Sequence, residues 1–295
     1  MFTVCTALFS QQVADMDYNP EILRPEYATG EGPVIFIDEG HHNFHTKEGR
    51  YKSFSNLLER DGYRVSAFTG GFTKEKLDRG NILVISNALN EVNVEDWSLP
   101  NPSAFSGEEI EILKAWVIKG GSLFLIADHM PMAGAAEDLA RAFGFEFTNG
   151  FVFDTISKGP AFFNYEDKTL IPGPVTKGRD KTESVNQIAT FTGQAFKIPE
   201  TATPILVFDN RFVNLLPEKA WEFDRNTKKE SAEGMYQGAY MKFGKGKVVV
   251  FGEAAMFSAQ LAGPEKRKMG MNNPIAPENY QLLLNIVHWL DGKYD

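Results

Sequence analysis

The chain has 295 residues and a formal net charge of -9, with 43% hydrophobic and 23% charged residues. An acidic chain lacks the basic face that nucleic acid or an anionic membrane surface requires, so neither is expected as the main partner. The composition is that of a globular protein long enough to bury a substantial core, and it does not indicate disorder. The sequence also lacks the ~18 or more consecutive apolar residues of a membrane-spanning helix.

The single cysteine, Cys5, lies in an apolar opening over residues 1–10. One cysteine excludes an intrachain disulfide and a thiolate metal cluster. The opening is typical either of the tail of an export signal or of a short N-terminal strand or disordered lead, and both interpretations stay open. The first implies a periplasmic or secreted protein and the second a cytoplasmic one. We therefore treat residues 1–32 as an N-terminal lead and residues 33–295 as a single domain.

Four strand–helix units follow one another in the first half of the domain. The predicted strands are Val34–Ile37, Tyr63–Phe68, Ile82–Ile85 and Leu123–Ile126, and the helices after them begin near Tyr51, Thr73, Ser106 and Ala135. Continuous apolar strands are typical of a sheet covered on both faces. Right-handed crossovers need a helix to return the chain to the next parallel strand. The sequence therefore predicts an α/β fold, a three-layer α/β/α sandwich around a doubly wound, mostly parallel sheet.

The second half departs from this rhythm. Residues 153–200 carry glycine, proline, lysine and aspartate without sustained periodicity. This pattern indicates an irregular insertion and is compatible with short antiparallel strands inside it. Regular structure returns with a strand over Ile205–Phe208 and a C-terminal β-hairpin around Gly244–Lys247. The remaining predictions are an apolar helix containing Met256, Phe257 and Leu261, and a core-facing helix over Pro277–Leu290.

Four of the five histidines lie directly after two predicted strands. The polar residues there are Asp38, His41, His42 and His45 after the first strand, and Asp128 and His129 after the fourth. The carboxyl ends of parallel strands share the edge at which open α/β sheets bind ligands. We expect these two strands to be neighbours, so that the imidazoles and carboxylates lie in one hollow.

Imidazole and carboxylate groups are the ligands that Zn²⁺ and similar ions take in proteins. The candidate metal ligands are Asp38, His41, His42 and His45. Three protein ligands would leave a position for water, whose pKa zinc lowers to ~7. Glu253, which follows the hairpin, or Glu39 would then act as general base. The spacing His-His-x-x-His matches no established metal motif.

A metal-free hypothesis assigns acid–base chemistry to Asp128, His129 and Glu253. Backbone amides around Gly134 would face an anion or a developing oxyanion at a helix start. The amides that would orient polar substrate groups belong to Asn43, Asn87 and Asn90. The alternative is structural: Asp128 caps the helix, His129 packs in the turn, and asparagines form turns. Loop aromatics such as Trp97 fit a glycan ligand or simple loop anchoring.

With these elements in place, the chain resembles the class I glutamine-amidotransferase-like superfamily, which has a flavodoxin-like fold. The resemblance is to its branch with GldG-type and intraflagellar-transport-type domains and bacterial families of unknown function. The segments that carry it are the strand with Asp38, Trp116–Gly121, Ile126–His129, Gly244–Glu253 and Asn285–Leu290, within residues 33–152 and 203–291.

Glutaminase members of that superfamily carry a nucleophilic cysteine on the turn after a central strand. The corresponding turn here reads Asp128-His129-Met130-Pro131, so the chain is not expected to be a cysteine-dependent glutamine amidotransferase. Two hypotheses for function follow. One is a hydrolase for a polar small-molecule or glycan-derived substrate, with or without a metal. The other, which the resemblance implies, is a non-catalytic ligand- or protein-binding domain of a cell-envelope assembly.

Overall fold

The computed structural model describes residues 12–157 and 159–294. The proposed remnant of an export signal in residues 1–10 lies outside these ranges. From residue 12 onward the N-terminal lead is attached to the rest of the chain, because its first strand pairs with a strand near the C-terminus. Tyr18, Ile22 and Tyr27 of the lead also pack against the main core. Within the described residues, no helix has both the length and the apolar character needed to cross a membrane.

The chain forms seventeen strands and six α-helices over the described residues. The strands are β1 (Gln12–Ala14), β2 (Val34–Asp38), β3 (Arg64–Phe68), β4 (Ile82–Ser86), β5 (Ser122–Ile126), β6 (Glu146–Phe147), β7 (Phe151–Asp154), β8 (Ala161–Asn164), β9 (Gln187–Thr190), β10 (Phe196–Lys197), β11 (Thr203–Val207), β12 (Phe212–Leu216), β13 (Lys228–Ser231), β14 (Tyr236–Phe243), β15 (Gly246–Phe251), β16 (Ala259–Ala262) and β17 (Arg267–Gly270). The helices are α1 (Lys52–Arg60), α2 (Lys74–Leu77), α3 (Gly107–Ile118), α4 (Met132–Ala142), α5 (Pro174–Lys177) and α6 (Asn279–Leu290), with short 3₁₀ turns at Glu91–Asn93 and Ala255–Phe257.

The largest sheet has nine strands in the order β3-β2-β4-β5-β15-β14-β10-β6, with β11 also paired to β14. Strands β3, β2, β4, β5 and β15 are parallel to one another. The other four strands are antiparallel to their partners, so the sheet is mixed. The α/β class predicted from the sequence is confirmed, and the parallel character is confined to one side of the sheet.

Strand β4 lies between β2 and β5, so the expectation that β2 and β5 are neighbours is wrong. After β3 pairs on the outer side of β2, the chain crosses back over β2 to form β4 on its other side. Strand β4 therefore occupies the position next to β2, and β5 pairs with β4. The strand that joins β5 on its far side is β15, which comes from the C-terminal hairpin.

Alternate residues of β5 contribute to different hydrophobic clusters. Phe124 and Ile126 pack in a cluster with residues of α1 and α6, whereas Leu123 and Leu125 pack in a cluster with residues of α3 and α4. All four side chains are fully buried. The continuous apolar run is therefore explained, because this strand has packing partners on both of its faces.

The segment predicted as an irregular insertion contains regular antiparallel structure. Strands β8 and β9 pair with each other, β10 joins the main sheet, and β7 pairs with β12 in a small sheet completed by β13. The predicted hairpin is confirmed as β14–β15 and belongs to the main sheet.

The apolar helix predicted around Met256 is wrong. A single 3₁₀ turn over Ala255–Phe257 is followed directly by β16, which pairs with β1 and β17. The side chain of Glu253 accepts hydrogen bonds from the Ala255 and Met256 amides and so closes this turn. Backbone pairing with β1, which is distant in sequence, then outweighs the local apolar pattern.

Candidate functional site

The carboxyl ends of β4, β5 and β15 lie side by side at one edge of the main sheet. Each end is followed within two residues by a polar side chain, namely Asn87, Asp128 and Glu253. These three residues line a cavity of about 250 Å³. Other residues of its wall are Phe44, His45, Arg50, Trp97, His129, Phe191 and Trp221. The predicted edge of the sheet therefore carries a pocket.

Asn87 joins the turns that follow β4 and β5. Its backbone has φ of 51°, and its side-chain Oδ1 accepts a hydrogen bond of 2.9 Å from the amide of Asp128. Its carbonyl oxygen accepts a hydrogen bond of 2.9 Å from the amide of Phe44. Asparagine tolerates this left-handed conformation better than most residues. Asn87 therefore lines the cavity and also connects, through these hydrogen bonds, two segments of chain that line it.

His129 is held rigidly beside the cavity. Its Nδ1 lies 2.7 Å from the carbonyl oxygen of Met130, and its ring stacks on Phe151 with centroids 4.2 Å apart. The ring of Trp221 meets it edge-on at 4.7 Å. Because a carbonyl only accepts, Nδ1 must carry a proton, and in the neutral ring Nε2 holds the lone pair. This tautomer makes Nε2 the nitrogen able to take up a proton.

Glu253 is only 1% exposed. Burial raises the pKa of its carboxyl well above the usual value, and the nearby carboxyl of Asp128 raises it further. Hydrogen bonds from backbone amides, including those of Ala255 at 2.7 Å and Met256 at 2.8 Å, act in the opposite direction. The balance keeps Glu253 a neutral carboxylic acid far above the pH at which an exposed glutamate ionises. The cavity therefore holds a proton donor beside a second carboxyl group.

His45 belongs to the same cavity and is 3% exposed. Burial, followed by the positive charge of Arg50, lowers the pKa of its imidazole to about 3. The ring packs on Tyr51 with centroids 4.5 Å apart. Within the part of the chain that the structure describes, its buried Nδ1 has no hydrogen-bond partner. His45 is therefore a neutral histidine near neutral pH.

The four predicted metal ligands do not converge on one point. His41 directs Nδ1 to Asp38, at 2.9 Å, and Nε2 to Glu109, at 3.1 Å, so both of its nitrogens are engaged. His42 is exposed, with φ of 48°, whereas His45 lines the cavity. Across residues 12–157 and 159–294, no group of three or more His, Cys, Asp or Glu side chains is arranged to hold a metal ion. These donors do not fit a metal, and we derive no step through one.

His41 and its carboxylate partners form a buried network away from the cavity. The imidazole lies between the rings of Phe72 and Phe105, with both centroid distances at 4.6 Å. Asn43 donates from Nδ2 to Asp38 at 3.0 Å, and its Oδ1 accepts from the His41 amide. The structure therefore places Asn43, predicted to bind substrate, in the support of Asp38.

This network should make stability depend on pH. Burial lowers the pKa of His41, but the hydrogen bonds and charges of Asp38 and Glu109 outweigh it and raise that pKa above its ordinary value. For Glu109, burial raises the pKa, and hydrogen bonds from Ser106, His41 and the Phe72 amide bring it down to about 2. The contribution of His41 to the free energy of unfolding is complete below pH ~6.5 and is lost as pH rises through its raised pKa. The contribution of Glu109 to the free energy of unfolding is complete above pH ~4.3 and is lost as pH falls through its lowered pKa.

We expect the free energy of unfolding to decrease as pH rises from ~6.5 through the raised pKa of His41. In a His41→Gln variant the part of this decrease that comes from His41 should be absent. Urea unfolding at a series of pH values measures it. The control is His42→Gln, because His42 is the exposed neighbour of His41. A His41→Gln variant with the same dependence on pH as the unmodified protein would contradict the assignment.

Two further predicted ligand-binding positions are engaged in the fold. Asn90 caps the first 3₁₀ turn through Val92, and its Nδ2 donates to the Ser103 carbonyl at 2.7 Å. The amide of Gly134 donates to Oδ1 of Asn149 at 2.8 Å, so it is not free for an anion. A Cβ on Gly134 would lie 2.7 Å from Cβ of Asn101 and 2.8 Å from Nδ2 of Asn149. Gly134 is thus a close-packing position at the start of α4.

A Gly134→Ala variant should be destabilised by ~1–3 kcal/mol, because overpacking forces its two asparagine neighbours to move. The matched control is Gly107→Ala in α3, where an added Cβ meets nothing within 4 Å. That control should be neutral or more stable by up to ~1 kcal/mol, since alanine favours a helix. Thermal and urea unfolding compare the two variants, and equal stabilities would show that the contacts at Gly134 relax without cost.

Sequence reasoning missed several residues of the site. Arg50 and Trp221 line the cavity, and Glu109 completes the His41 network. Trp221 lies in the loop between β12 and β13 and has φ of 66°. Neither Arg50 nor Trp221 belongs to a recognisable motif. For Glu109 the sequence signal was a capping box with Ser106, and the structure contains this capping box. It uses one carboxylate oxygen of Glu109, whereas the other oxygen contacts His41.

No family model and no curated protein matches the chain. Among solved structures, the N-terminal domain of mmIFT52 is 14% identical, with a TM-score of 0.60, over 88% of this chain and 97% of that one. A cytoplasmic protein from Salmonella typhimurium is 14% identical, with a TM-score of 0.50, over 88% and 98%. A protein from Bacteroides uniformis described as ThuA-like is 13% identical, with a TM-score of 0.47, over 90% and 93%. At these identities the first two likenesses show the fold alone, and they agree with the α/β fold described above.

Proposed function

We propose that the chain is a hydrolase that acts on a small polar or glycan-derived substrate in the cavity at the ends of β4, β5 and β15. One observation carries the proposal: Asp128 and His129, which follow β5, line the same cavity as Glu253, which follows β15 far along the chain. Titratable groups that converge in a cleft with a strongly shifted pKa among them are typical of active sites.

In the proposed reaction, Nε2 of His129 takes a proton from a water molecule as its oxygen attacks the substrate. Glu253 donates its proton to the leaving oxygen as the bond to it breaks. Asp128, through its charge, keeps Glu253 protonated until the leaving group needs the proton. Proton exchange with solvent then restores both groups. No protein nucleophile is required, which agrees with the absence of a cysteine from residues 33–295.

The size and the walls of the cavity support a small ligand with a flat face. Its volume of about 250 Å³ lies just below the ~300–1,000 Å³ of pockets that take drug-sized ligands. Phe44, Trp97 and Trp221 provide ring surfaces on which a sugar stacks. Asn87 adds an amide beside Asp128. Together these features favour a monosaccharide-sized substrate over an extended polymer.

The test is a panel of chromogenic glycosides, esters and phosphates with the unmodified protein and a Glu253→Gln variant. Glutamine keeps the size of the side chain and removes its acid. We expect turnover of at least one substrate class by the unmodified protein and its loss in the variant. The matched control is Asp138→Asn on α4, whose side chain is 57% exposed, and it should retain full activity. Turnover that survives Glu253→Gln would refute the assigned role of Glu253.

A second candidate is a non-catalytic ligand-binding domain of a cell-envelope assembly. The favouring observation is the rigidity of the site. The His129 ring is fixed by Phe151, Trp221 and the Met130 carbonyl, and both oxygens of Glu253 accept backbone hydrogen bonds. A ligand that raises the unfolding temperature of the protein without being turned over would favour this candidate.

We also propose the finer architecture, a three-layer α/β/α sandwich of the branch with GldG-type and intraflagellar-transport-type domains. Its support is the pair of hydrophobic clusters on the two faces of β5, one with residues of α1 and α6 and the other with residues of α3 and α4. The likeness to the mmIFT52 domain adds to this support.

A further inference from the structure

Arg50 is the cation of the cavity wall. Its guanidinium stands over the ring of Phe44, 3.7 Å from the ring centre, and Nη1 donates to the Phe44 carbonyl at 3.3 Å. Across residues 12–157 and 159–294, no carboxylate forms an ion pair with it, and its Nε is buried without a hydrogen-bond partner. Arg50 is partly buried. A guanidinium stays charged at any physiological pH, and charges withdrawn from water are normally paired.

Two more buried polar atoms of the same wall have no partner among the described residues. These atoms are Nδ1 of His45 and Oε1 of Gln260. The ring of Phe44 lies 5.6 Å from the ring of His45 and 3.7 Å from the guanidinium of Arg50, so these two wall residues lie against the same aromatic ring. Unsatisfied buried groups are rare in folded proteins. Three in the residues of one cavity wall mean that the polar groups of this wall are not fully satisfied by the protein itself.

We propose that Arg50 anchors a carboxylate group of the ligand, with His45 as a second, neutral contact beside it. This inference rests on the proposed function, whose substrate class it specifies: a small sugar acid or a similar hydroxy acid. A planar guanidinium matches a carboxylate in a two-point contact.

The charge of the site favours a carboxylate over a phosphate ester. Arg50 is the one cation among the described wall residues, and Asp128 and Glu253 supply two carboxyl groups to the same wall. A singly charged ligand group neutralises Arg50, whereas a dianion would exceed the available positive charge and be repelled by Asp128. The ligand therefore lies with its carboxylate at Arg50 and its neutral hydroxyl groups toward His129 and Glu253.

The experiment measures binding to the full chain by titration calorimetry at constant ionic strength. The probes are acetate, D-glucuronate, D-glucose and D-glucose 6-phosphate. We expect D-glucuronate to bind at least ~10-fold more tightly than D-glucose, and Arg50→Met to remove that difference. Arg50→Lys should retain only part of it, because an ammonium lacks the planar fork. The control Arg267→Met changes an arginine whose side chain is 79% exposed, and it should bind like the unmodified protein.

The proposal is overturned if neither carboxylate probe binds the unmodified protein more tightly than it binds Arg50→Met. Tighter binding of D-glucose 6-phosphate than of D-glucuronate overturns the choice of a carboxylate. The unfolding temperature without ligand is a second readout. Arg50→Met should unfold near the temperature of the unmodified protein, and a large fall in both Arg50 variants would make Arg50 structural.

The two proposals fail in different ways. Carboxylate binding that depends on Arg50, without turnover of any substrate in the panel, would leave Arg50 as the anchor and refute the hydrolase. Turnover of a substrate in the panel, together with D-glucuronate binding that is equally tight in the unmodified protein and in Arg50→Met, would leave the hydrolase and refute the anchor.

Discussion

An Asp128→Asn variant should have a kcat/KM ~10²- to 10⁴-fold below that of the unmodified protein, the range that acid–base groups contribute. The amide removes the charge that helps to hold the proton on Glu253. The fold should be unaffected, because an asparagine side chain retains an oxygen that can accept the 2.8 Å hydrogen bond from the His129 amide. Steady-state kinetics and thermal unfolding on the same samples measure both effects.

The pH profile of this variant provides a sharper check. Burial is the larger cause of the raised pKa of Glu253, and the carboxyl of Asp128 is the second. Removing the second cause lowers that pKa, so Glu253 loses its proton at a lower pH. The alkaline limb of the kcat/KM profile should therefore move to lower pH in Asp128→Asn and stay in place in the Asp138→Asn control. An unchanged or upward-shifted limb would show that Glu253 is not the acid.

The second large effect concerns stability. An Asp38→Ala variant should lose ~3–5 kcal/mol of the free energy of unfolding, since it removes one partner of a buried charge pair. Asp38 is 0% exposed and accepts hydrogen bonds from His41 at 2.9 Å and Asn43 at 3.0 Å. Its loss leaves His41 with only Glu109 as a carboxylate partner and Asn43 with an unmet donor.

Urea unfolding near pH 6 compares this variant with Asp78→Ala. Asp78 also pairs with a cation, Lys74, but its side chain is 46% exposed. Exposed pairs contribute only ~0–1 kcal/mol because water and salt screen them. Equal losses in the two variants would mean that the Asp38 network adds no more than a surface pair.

The local elements were largely predictable from the sequence. Apolar runs identified β2, β4 and β5, a capping box at Ser106 marked the start of α3, and Gly244–Lys247 marked the hairpin. These signals act within a few residues, where backbone geometry and capping decide the outcome. The same signals placed Asp128 and Glu253 directly after strands.

The assembly of the site was not predictable in the same way. Strand order depends on which crossover fills the place beside β2, and no local pattern encodes that choice. His41 was predicted as a ligand, yet Glu109, which is distant in sequence, occupies its second nitrogen. Arg50 and Trp221 reach the cavity from loops whose course depends on the packing of the whole domain.

The position of β15 has a consequence for how the protein is made. During synthesis β5 emerges long before its neighbour β15, which later pairs with it on one side and with β14 on the other. Until then β5 presents an open edge to other chains, a known hazard for aggregation. A ribosome-bound chain that stops short of Gly246 would lack both the cover of this edge and the acid of the cavity. Protection of the nascent chain and completion of the site therefore depend on the same late strand.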